Sequence, residues 1–222
     1  MGDINKFKDL KRAYGFDDVA IVPGEVTIDS DQVNTGFSVG GFDLAIPIIA
    51  SAMDAVVSPG FVSEIGDLGG LAVLNLEGVQ TKYDDPDEIL DSIVNAPQEE
   101  ATVRLQSVYS APVRDDLIGA RIETMKSSGA VSAVSVTPGS ARRLAPIAVE
   151  SGADIIVIQS TVTTARHLPL DSDSLVLADL VESLKTPILV GNSVSYQATM
   201  ELMETGIHGV LVGVGPGAAC TT

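Results

Sequence analysis

Six short apolar segments recur along this chain, and each has the length of a β-strand. Helix-like segments, such as the one over residues 195–205, lie between them. Continuous apolar runs of this length are typical of parallel strands buried on both faces, and strands that alternate with helices indicate a parallel sheet. The pattern therefore predicts an α/β protein with strands at residues 44–51, 71–75, 132–136, 155–159, 188–192 and 209–214.

The first β/α unit shows the pattern in most detail. Ser58 can cap a helix whose first residue is Pro59, and apolar residues at helical spacing follow up to Gly69-Gly70, which end the helix. A later helical pattern over residues 140–151 contains Pro146. Because proline removes a helix hydrogen bond, we expect that helix to be kinked or to begin late.

Two other regions depart from the regular alternation. Residues 1–43 are predicted to form an N-terminal arm with a short strand at residues 16–22. Residues 76–130 are predicted to form a longer excursion with helical stretches at residues 87–94 and 115–127.

Composition limits the classes of partner. The 222 residues, 45% of them hydrophobic, suffice for one well-buried core. The formal net charge of −17 opposes binding to nucleic acids and anionic membranes, so any phosphate must be held by local backbone dipoles. A single cysteine excludes an internal disulfide framework, and no N-terminal signal or long apolar span is apparent, so we expect a cytoplasmic protein.

The last apolar run leads into a glycine-spaced loop, Val-Gly-Val-Gly-Pro-Gly-Ala-Ala-Cys-Thr-Thr, at residues 212–222. Glycine permits positive φ and close approach of a ligand, so such a loop can cradle a phosphate or a cation. The loop also fits the dinucleotide pattern G-x-G-x-x-G/A, which requires a following helix and an acidic residue that these 222 residues do not supply. A lone cysteine such as Cys220 is usually an inert core residue, but the flanking Gly, Pro and Thr argue against a core strand.

This loop resembles the active-site loop of the IMP dehydrogenase and GMP reductase family. The resemblance extends, in family order, to Tyr-Gly-Phe-Asp-Asp-Val-Ala-Ile-Val-Pro (14–23), Ala-Ser-Ala-Met-Asp (50–54), Gly-Gly-Leu-Ala-Val-Leu-Asn (69–75) and Gly-Asn (191–192). It is strongest to the IMP dehydrogenase-related branch that lacks the regulatory cystathionine-synthase-type (CBS) domain pair. The excursion lies where other members insert that pair and is too short to be one.

The resemblance implies a (β/α)8 barrel forming a single catalytic domain over residues 1–222, with barrel units from residue 44 onward. Such barrels typically need about 250 residues and carry the active site at the carboxyl ends of the strands. The candidate residues do follow predicted strand ends, but six strands leave the barrel two units short. We therefore expect a truncated chain that by itself binds substrate poorly and does not catalyse. A non-catalytic nucleotide-binding fragment is the alternative from a different functional class.

By resemblance, Cys220 is the nucleophile that attacks C2 of a purine nucleotide, while hydride passes between that carbon and NAD or NADP(H). A thiolate is required, and inward N–H groups of the loop are one way to lower the cysteine pKa. Thr222 matches a threonine that assists proton movement, whose family partners lie beyond this residue. For Cys220 the competing interpretation is an inert thiol, and Thr222 needs partners because threonine alone is a weak acid or base.

The resemblance assigns the remaining site residues either to the substrate or to the cofactor. The nucleotide contacts would be Ser51, Met53, Asn192, Gly215, Gly217 and Ala218, and the cofactor contacts Gln159, Ser160, Thr161 and Gly213. A turn serine, a core methionine and a turn asparagine are the structural alternatives. Carbonyl oxygens of Gly215, Gly217 and Cys220 would hold a monovalent cation, with potassium expected.

Two residues depart from the family pattern. Ala218 replaces a serine, which removes one hydroxyl donor to the phosphate, and Gln159 replaces an aspartate found in many members. The direction of the reaction, IMP oxidation or GMP reduction, therefore stays open. The family further implies a homo-oligomer, a tetramer or octamer. His167 and His208 lack the companions of a transition-metal site and are expected to be surface or structural residues.

Overall fold

The computed structural model describes Tyr14 and residues 18–167 and 175–215. It divides into two compact units, of which the larger comprises residues 34–214 and contains all the strands described below. The smaller unit comprises residues 1–33 and 215–222. Within it, a 3-10 turn forms at Ser30–Gln32, and the described residues 18–22 form no strand, so the predicted strand at residues 16–22 is wrong over that part.

The larger unit opens with an antiparallel hairpin of β1 (Phe37–Val39) and β2 (Phe42–Leu44). A six-stranded sheet follows, and its five strand pairs are all parallel. Its strands are β3 (Ile49–Ala50), β4 (Leu71–Asn75), β5 (Ala133–Val136), β6 (Ile155–Gln159), β9 (Ile188–Ser193) and β10 (Gly209–Val212). A second small hairpin joins β7 (Arg166–His167) to β8 (Leu175–Val176).

The strands lie side by side in the order in which the chain visits them, from β3 at one edge of the described sheet to β10 at the other. A doubly wound sheet would reverse this order at a switch point, whereas a (β/α)8 barrel adds each strand next to the previous one. The architecture is therefore part of a (β/α)8 barrel, and six of its strands lie within the described residues. The predicted fold class is confirmed.

The connecting segments are mainly helical. Their helices are α1 (Pro59–Asp67), α2 (Pro86–Val94), α3 (Gln98–Tyr109), α4 (Asp115–Ser127), α5 (Ala141–Glu150), α6 (Leu177–Leu184) and α7 (Tyr196–Met203), and a 3-10 turn forms at Val79–Thr81. The predicted cap of α1 is confirmed, because the Ser58 hydroxyl accepts the Phe61 N–H at 3.2 Å and Gly69 takes a φ of +80° where the helix ends. Helix α5 runs from Ala141 through Pro146, so its predicted late start is wrong.

The four central strands of the sheet, β4, β5, β6 and β9, are buried on both faces, and their successive residues separate onto two cores. In β6, Ile156 and Ile158 pack with the helices, in a cluster that includes Ile122 of α4. Ile155 and Val157 point to the other face and pack with Leu189 of β9. This division explains why the strands appear in the sequence as continuous apolar runs.

The run over residues 44–51, predicted as one strand, is divided into two elements. Leu44 belongs to the β1–β2 hairpin, and only Ile49–Ala50 joins the parallel sheet. Pro47 has no N–H to donate to a neighbouring strand, and the N–H groups of Ala45 and Ile46 instead donate to the Gly69 carbonyl, at 2.8 and 3.2 Å. The proline therefore limits the first barrel strand to two residues.

One carboxylate fixes the entry to β5 and β6. Asp154 accepts hydrogen bonds from the Ser132 N–H at 2.9 Å and the Ser132 hydroxyl at 2.8 Å, and it pairs with Lys126 of α4 at 2.9 Å. Burial alone would raise the pKa of Asp154, but these bonds outweigh it and hold the pKa below its ordinary value.

We predict that Asp154→Asn lowers the free energy of unfolding at neutral pH by about 1 kcal/mol, because its charge-assisted hydrogen bonds become weaker. Since the folded pKa lies below the unfolded value of about 3.9, this contribution is present above roughly pH 4 and is lost as the pH falls through the folded pKa. Urea unfolding over a series of pH values measures it. The exposed Asp43 of β2, changed to Asn, is the control, and equal losses in the two variants would contradict the prediction.

Candidate functional site

The predicted site residues that the structure describes lie at or just after the carboxyl ends of the parallel strands. Ser51 and Met53 follow β3, Gln159 ends β6, Asn192 lies near the end of β9, and Gly213 follows β10. Parallel strands present their carboxyl ends on one side of the sheet, which in a barrel is the catalytic rim. The fold therefore brings residues that are distant in sequence to the same rim.

The ends of β6 and β9 are joined by a pair of side-chain amides. In the sheet register Gln159 lies opposite Gly191, and the Gln159 Nε2 donates to Asn192 Oδ1 at 3.3 Å. The peptide between Gly191 and Asn192 is cis. Both amide side chains are half-buried, so each keeps hydrogen-bonding capacity toward the rim. The structure thus brings together one predicted cofactor residue and one predicted substrate residue.

The loop after β6 is tied to the same end of β9. The Ser160 N–H donates to the Gly191 carbonyl at 3.0 Å, and the Asn192 N–H donates to the Ser160 carbonyl at 3.1 Å. Thr163, only 2% exposed, donates its hydroxyl to the Gly191 carbonyl and its N–H to the Asn192 carbonyl at 2.9 Å. Thr161 is exposed and the Ser160 hydroxyl is half-buried. Sequence reasoning missed Thr163, which supports the predicted residues, although a hydroxyl two positions after Thr161 was a usable signal.

A cavity of about 480 Å³ lies between the ends of β9 and β10 and the start of α7. Its lining combines apolar and hydroxyl groups: Ser193, Val194, Ser195, Tyr196, Thr199, Val212, Gly213 and Val214. Gly213 has a φ of +89° and donates its N–H to the Ser193 carbonyl at 2.8 Å. The predicted cofactor position Gly213 is therefore part of the wall of a cavity that a small ligand can enter.

The other end of the described sheet carries Ser51 and Met53 on a tight turn after β3. The Met53 N–H donates to the Ser51 carbonyl at 2.8 Å, and the Val57 N–H donates back to the Met53 carbonyl at 2.9 Å. Ser51 is exposed and the Met53 side chain is 55% exposed. Both residues are therefore accessible among the described residues, and their assignment to the nucleotide stays a prediction.

Asp54, next to this turn, is a carboxylate that sequence reasoning did not single out. It accepts hydrogen bonds from Asn75 Nδ2 at 3.3 Å, from the Val79 N–H at 3.0 Å and from the Tyr109 hydroxyl at 2.6 Å. Partial burial, followed by the hydrogen bond and the charge of Asp54, raises the pKa of Tyr109 well above its ordinary value. Tyr109 therefore remains a protonated donor throughout the physiological pH range.

A second carboxylate ties the loops after β4 and β5. Glu77 accepts hydrogen bonds from the Thr137 N–H, from the Thr137 hydroxyl at 3.1 Å and from the Ser140 hydroxyl, directly before α5. These hydrogen bonds join the loop after β4 to the loop before α5, so we interpret Glu77 as a residue that fixes the rim. Sequence reasoning missed it as well.

Several predicted residues fall outside the described part of the chain. Cys220, Thr222, Gly217 and Ala218 are among them, so their assigned roles stay predictions. Gly215 is described and has a φ of +113°, a conformation that favours glycine.

Within Tyr14 and residues 18–167 and 175–215, no group of three or more His, Cys, Asp or Glu side chains could hold a metal ion. His208 has a structural role, because its Nδ1 accepts the Ile188 N–H at 3.2 Å. The side chain of His167 lies outside the described part. Among the helices in these same ranges, none is long and apolar enough to cross a membrane.

The known proteins that are similar to this chain agree with one another in the family they indicate. Residues 13–222 match the profile of the IMP dehydrogenase / GMP reductase domain. An uncharacterized oxidoreductase of Mycolicibacterium smegmatis is 36% identical over 100% of this chain and 60% of its own length. The inosine-5'-monophosphate dehydrogenase of Cryptosporidium parvum is 25% identical, over 97% of this chain and 54% of its own length.

A solved structure agrees with these relatives. An IMP dehydrogenase/GMP reductase-like protein from Corynebacterium glutamicum superimposes with a TM-score of 0.86 at 33% identity, over 93% of this chain and 55% of that protein. The chain thus spans little more than half the length of the relatives it matches.

We predict that Gly191→Ala lowers the free energy of unfolding by about 1–3 kcal/mol, because a side chain there forces overpacking between β9 and β10. An added Cβ would lie 2.4 Å from the Cβ of Leu211 and 2.9 Å from its carbonyl oxygen. Gly119→Ala, in helix α4 with 3.6 Å to the nearest atom, is the matched control and is expected to keep wild-type stability or exceed it. Denaturant unfolding of both variants decides, and a Gly191→Ala protein as stable as its control would contradict the packing argument.

Proposed function

Because this chain belongs to the IMP dehydrogenase / GMP reductase family, we propose that it forms part of a purine-nucleotide oxidoreductase that transfers hydride between C2 of the nucleotide and a nicotinamide. The observation that carries the proposal is the junction of Gln159, Ser160 and Asn192 at the ends of β6 and β9. Neutral amide and hydroxyl groups at a barrel rim are suited to hold a sugar or a carboxamide by hydrogen bonds.

The charge of the protein restricts how the nucleotide can bind. With a net charge of −17, the protein repels an anion at long range, so the phosphate must be held by short contacts to backbone N–H groups. We assign this role to the glycine loop after β10, with Gly215, Gly217 and Ala218. Because Ala218 has no hydroxyl, the backbone carries this contact.

In the proposed chemistry, the Cys220 thiolate forms a bond to C2 of the purine. A nicotinamide cofactor, when bound, accepts or supplies the hydride at that carbon. In the oxidation direction, loss of the hydride leaves a covalent thioimidate between Cys220 and C2. Water then cleaves this thioimidate and releases the thiol, and Thr222 assists the movement of the proton. Ser51 and Met53 contact the nucleotide from the turn after β3, where both are exposed.

GMP reduction is the second candidate direction, and Gln159 is the observation that favours it. A neutral amide stands at the position where many family members have an aspartate. We expect such a difference in an enzyme adapted to a different nicotinamide cofactor. Side-by-side assays of IMP oxidation and GMP reduction in the complete protein distinguish the two directions. Turnover in neither, with nucleotide binding retained, would instead support the non-catalytic alternative.

Three further assignments accompany this proposal. A potassium ion would bind carbonyl oxygens of Gly215, Gly217 and Cys220, since a hard cation prefers oxygen ligands. The protein would be a cytoplasmic homo-oligomer. Activity measured at increasing potassium concentrations tests the cation site. Light scattering of the complete protein measures the oligomeric state.

We predict that Cys220→Ala in the complete protein abolishes turnover and leaves nucleotide binding measurable, because the phosphate contacts are mostly from the backbone. Steady-state assays and calorimetry with IMP and GMP make the two measurements. A variant that keeps more than about a thousandth of the wild-type rate, a barrier change under roughly 4 kcal/mol, would show that catalysis is not covalent.

We also predict that NADP(H) is used at least as well as NAD(H), because Gln159 lacks the negative charge that would repel a 2′-phosphate nearby. Gln159→Asp should then shift kcat/KM toward NAD(H), and Gln159→Asn, which keeps the neutral amide, is the control. A wild-type preference for NAD(H) of more than about tenfold, which corresponds to about 1.4 kcal/mol, would contradict the electrostatic argument.

A further inference from the structure

The excursion between β4 and β5 contains a helical hairpin that adds little to the core. Helices α2 and α3 are described in full, and Val108 is their only buried residue. Exposed apolar side chains such as Val103 and Leu105 show that α3 is not held in place by extensive burial. Its position must therefore depend on specific contacts at its ends.

These contacts concentrate at the last turn of α3. Lys82 Nζ donates to the carbonyls of Tyr109 and Ala111, both at 2.8 Å, and the Tyr83 hydroxyl donates to the Val108 carbonyl at 2.9 Å. Lys82 also lies over the Tyr109 ring, 6.0 Å from its centroid. The carboxyl end of α3 is thus fastened to the loop that follows β4.

One hydrogen bond from the last turn of α3 reaches the loop that follows a different strand, β3. The Tyr109 hydroxyl donates to Asp54 Oδ2 at 2.6 Å, across 55 residues of sequence. The approach of Asp54 to the loop after β4 requires a glycine at position 78, because a Cβ there would lie 1.8 Å from Asp54 Oδ1. The chain therefore accommodates the Asp54 carboxylate between β4, its following turn and α3.

Asp54 directly follows Met53 and lies three positions after Ser51, the two residues of this turn that are assigned to the nucleotide. Its neighbour Met53 bonds to Ser51 and Val57 through the backbone, so a shift of Asp54 moves the turn that presents Ser51 and Met53. Of the three donors to Asp54, two come from β4 and the turn after it, and the third comes from α3. The position of this turn therefore depends in part on the excursion.

We propose that Tyr109 is a positioning residue of the nucleotide site, whose hydroxyl acts through Asp54 to fix the turn that carries Ser51 and Met53. The inference rests on the proposed function, because it needs those two residues to contact the nucleotide. Tyr109 does not have to touch the substrate. A preformed turn binds better than one that must be ordered on binding, so the hydroxyl contributes to affinity more than to the chemical step.

The test is Tyr109→Phe in the complete protein, with Tyr83→Phe as the matched control. Both variants lose one phenolic hydroxyl that fastens the same end of α3, but only Tyr109 bonds to Asp54. We expect Tyr109→Phe to raise the KM for IMP or GMP about five- to tenfold with kcat within about twofold, since a hydrogen bond to a carboxylate is lost. Tyr83→Phe should keep both constants within about twofold, and thermal unfolding reports the stability of each variant.

A double-mutant cycle links the effect to Asp54. Asp54→Asn should raise KM in the same way, and adding Tyr109→Phe to it should cost less than the sum of the single changes, because both act on one contact. An unchanged KM in Tyr109→Phe, equal effects in the two tyrosine variants, or full additivity with Asp54→Asn would each overturn the inference while the wild type still turns over nucleotide. A wild type that neither binds nor converts IMP and GMP would overturn the proposed function itself.

Discussion

The structure depends on the requirement that each parallel strand be covered on both faces. A parallel strand needs a crossover before its neighbour can pair, so every added strand brings a connecting segment that covers the outer face. The residues of β6 alternate between the helix-facing core and the inner core, and its neighbours repeat this arrangement. Because all five pairs are parallel, their carboxyl ends share one rim, and polar groups can gather there without entering either core.

The rim is held together by its own polar groups as well as by the cores. Asp54 and Glu77 each accept three hydrogen bonds, and Thr163 joins the loop after β6 to the end of β9. These interactions act together with buried apolar residues of the same loops, such as Val57, Leu76 and Val79. A site built in this way keeps its geometry while its exposed residues, such as Ser51 and Met53, stay accessible to a ligand.

Periodic features of the sequence predicted the fold well, and contacts between distant residues escaped prediction. The strands from 71–75 to 188–193 appear as apolar runs because burial on both faces imposes that pattern, and the cap at Ser58 is a local signal. Helix α3 escaped prediction because its sequence is polar and only Val108 is buried, so it has no clear apolar face. Gln159 and Asn192 could be proposed from family motifs, whereas their mutual hydrogen bond and the link from Tyr109 to Asp54 depend on register and loop geometry.

The meagre burial of α2 and α3 has a consequence for how the molecule opens. Local unfolding free energies follow buried apolar contact, so this hairpin is able to detach at low cost while the sheet, with its fully buried Leu74, Ile156 and Ile158, remains intact. We therefore expect the two regions to unfold as separate cooperative units, with amides that exchange with solvent hydrogen at very different rates. The α2–α3 hairpin is consequently a segment whose length and sequence evolution can alter with little effect on barrel folding, with the final turn of α3 as the exception.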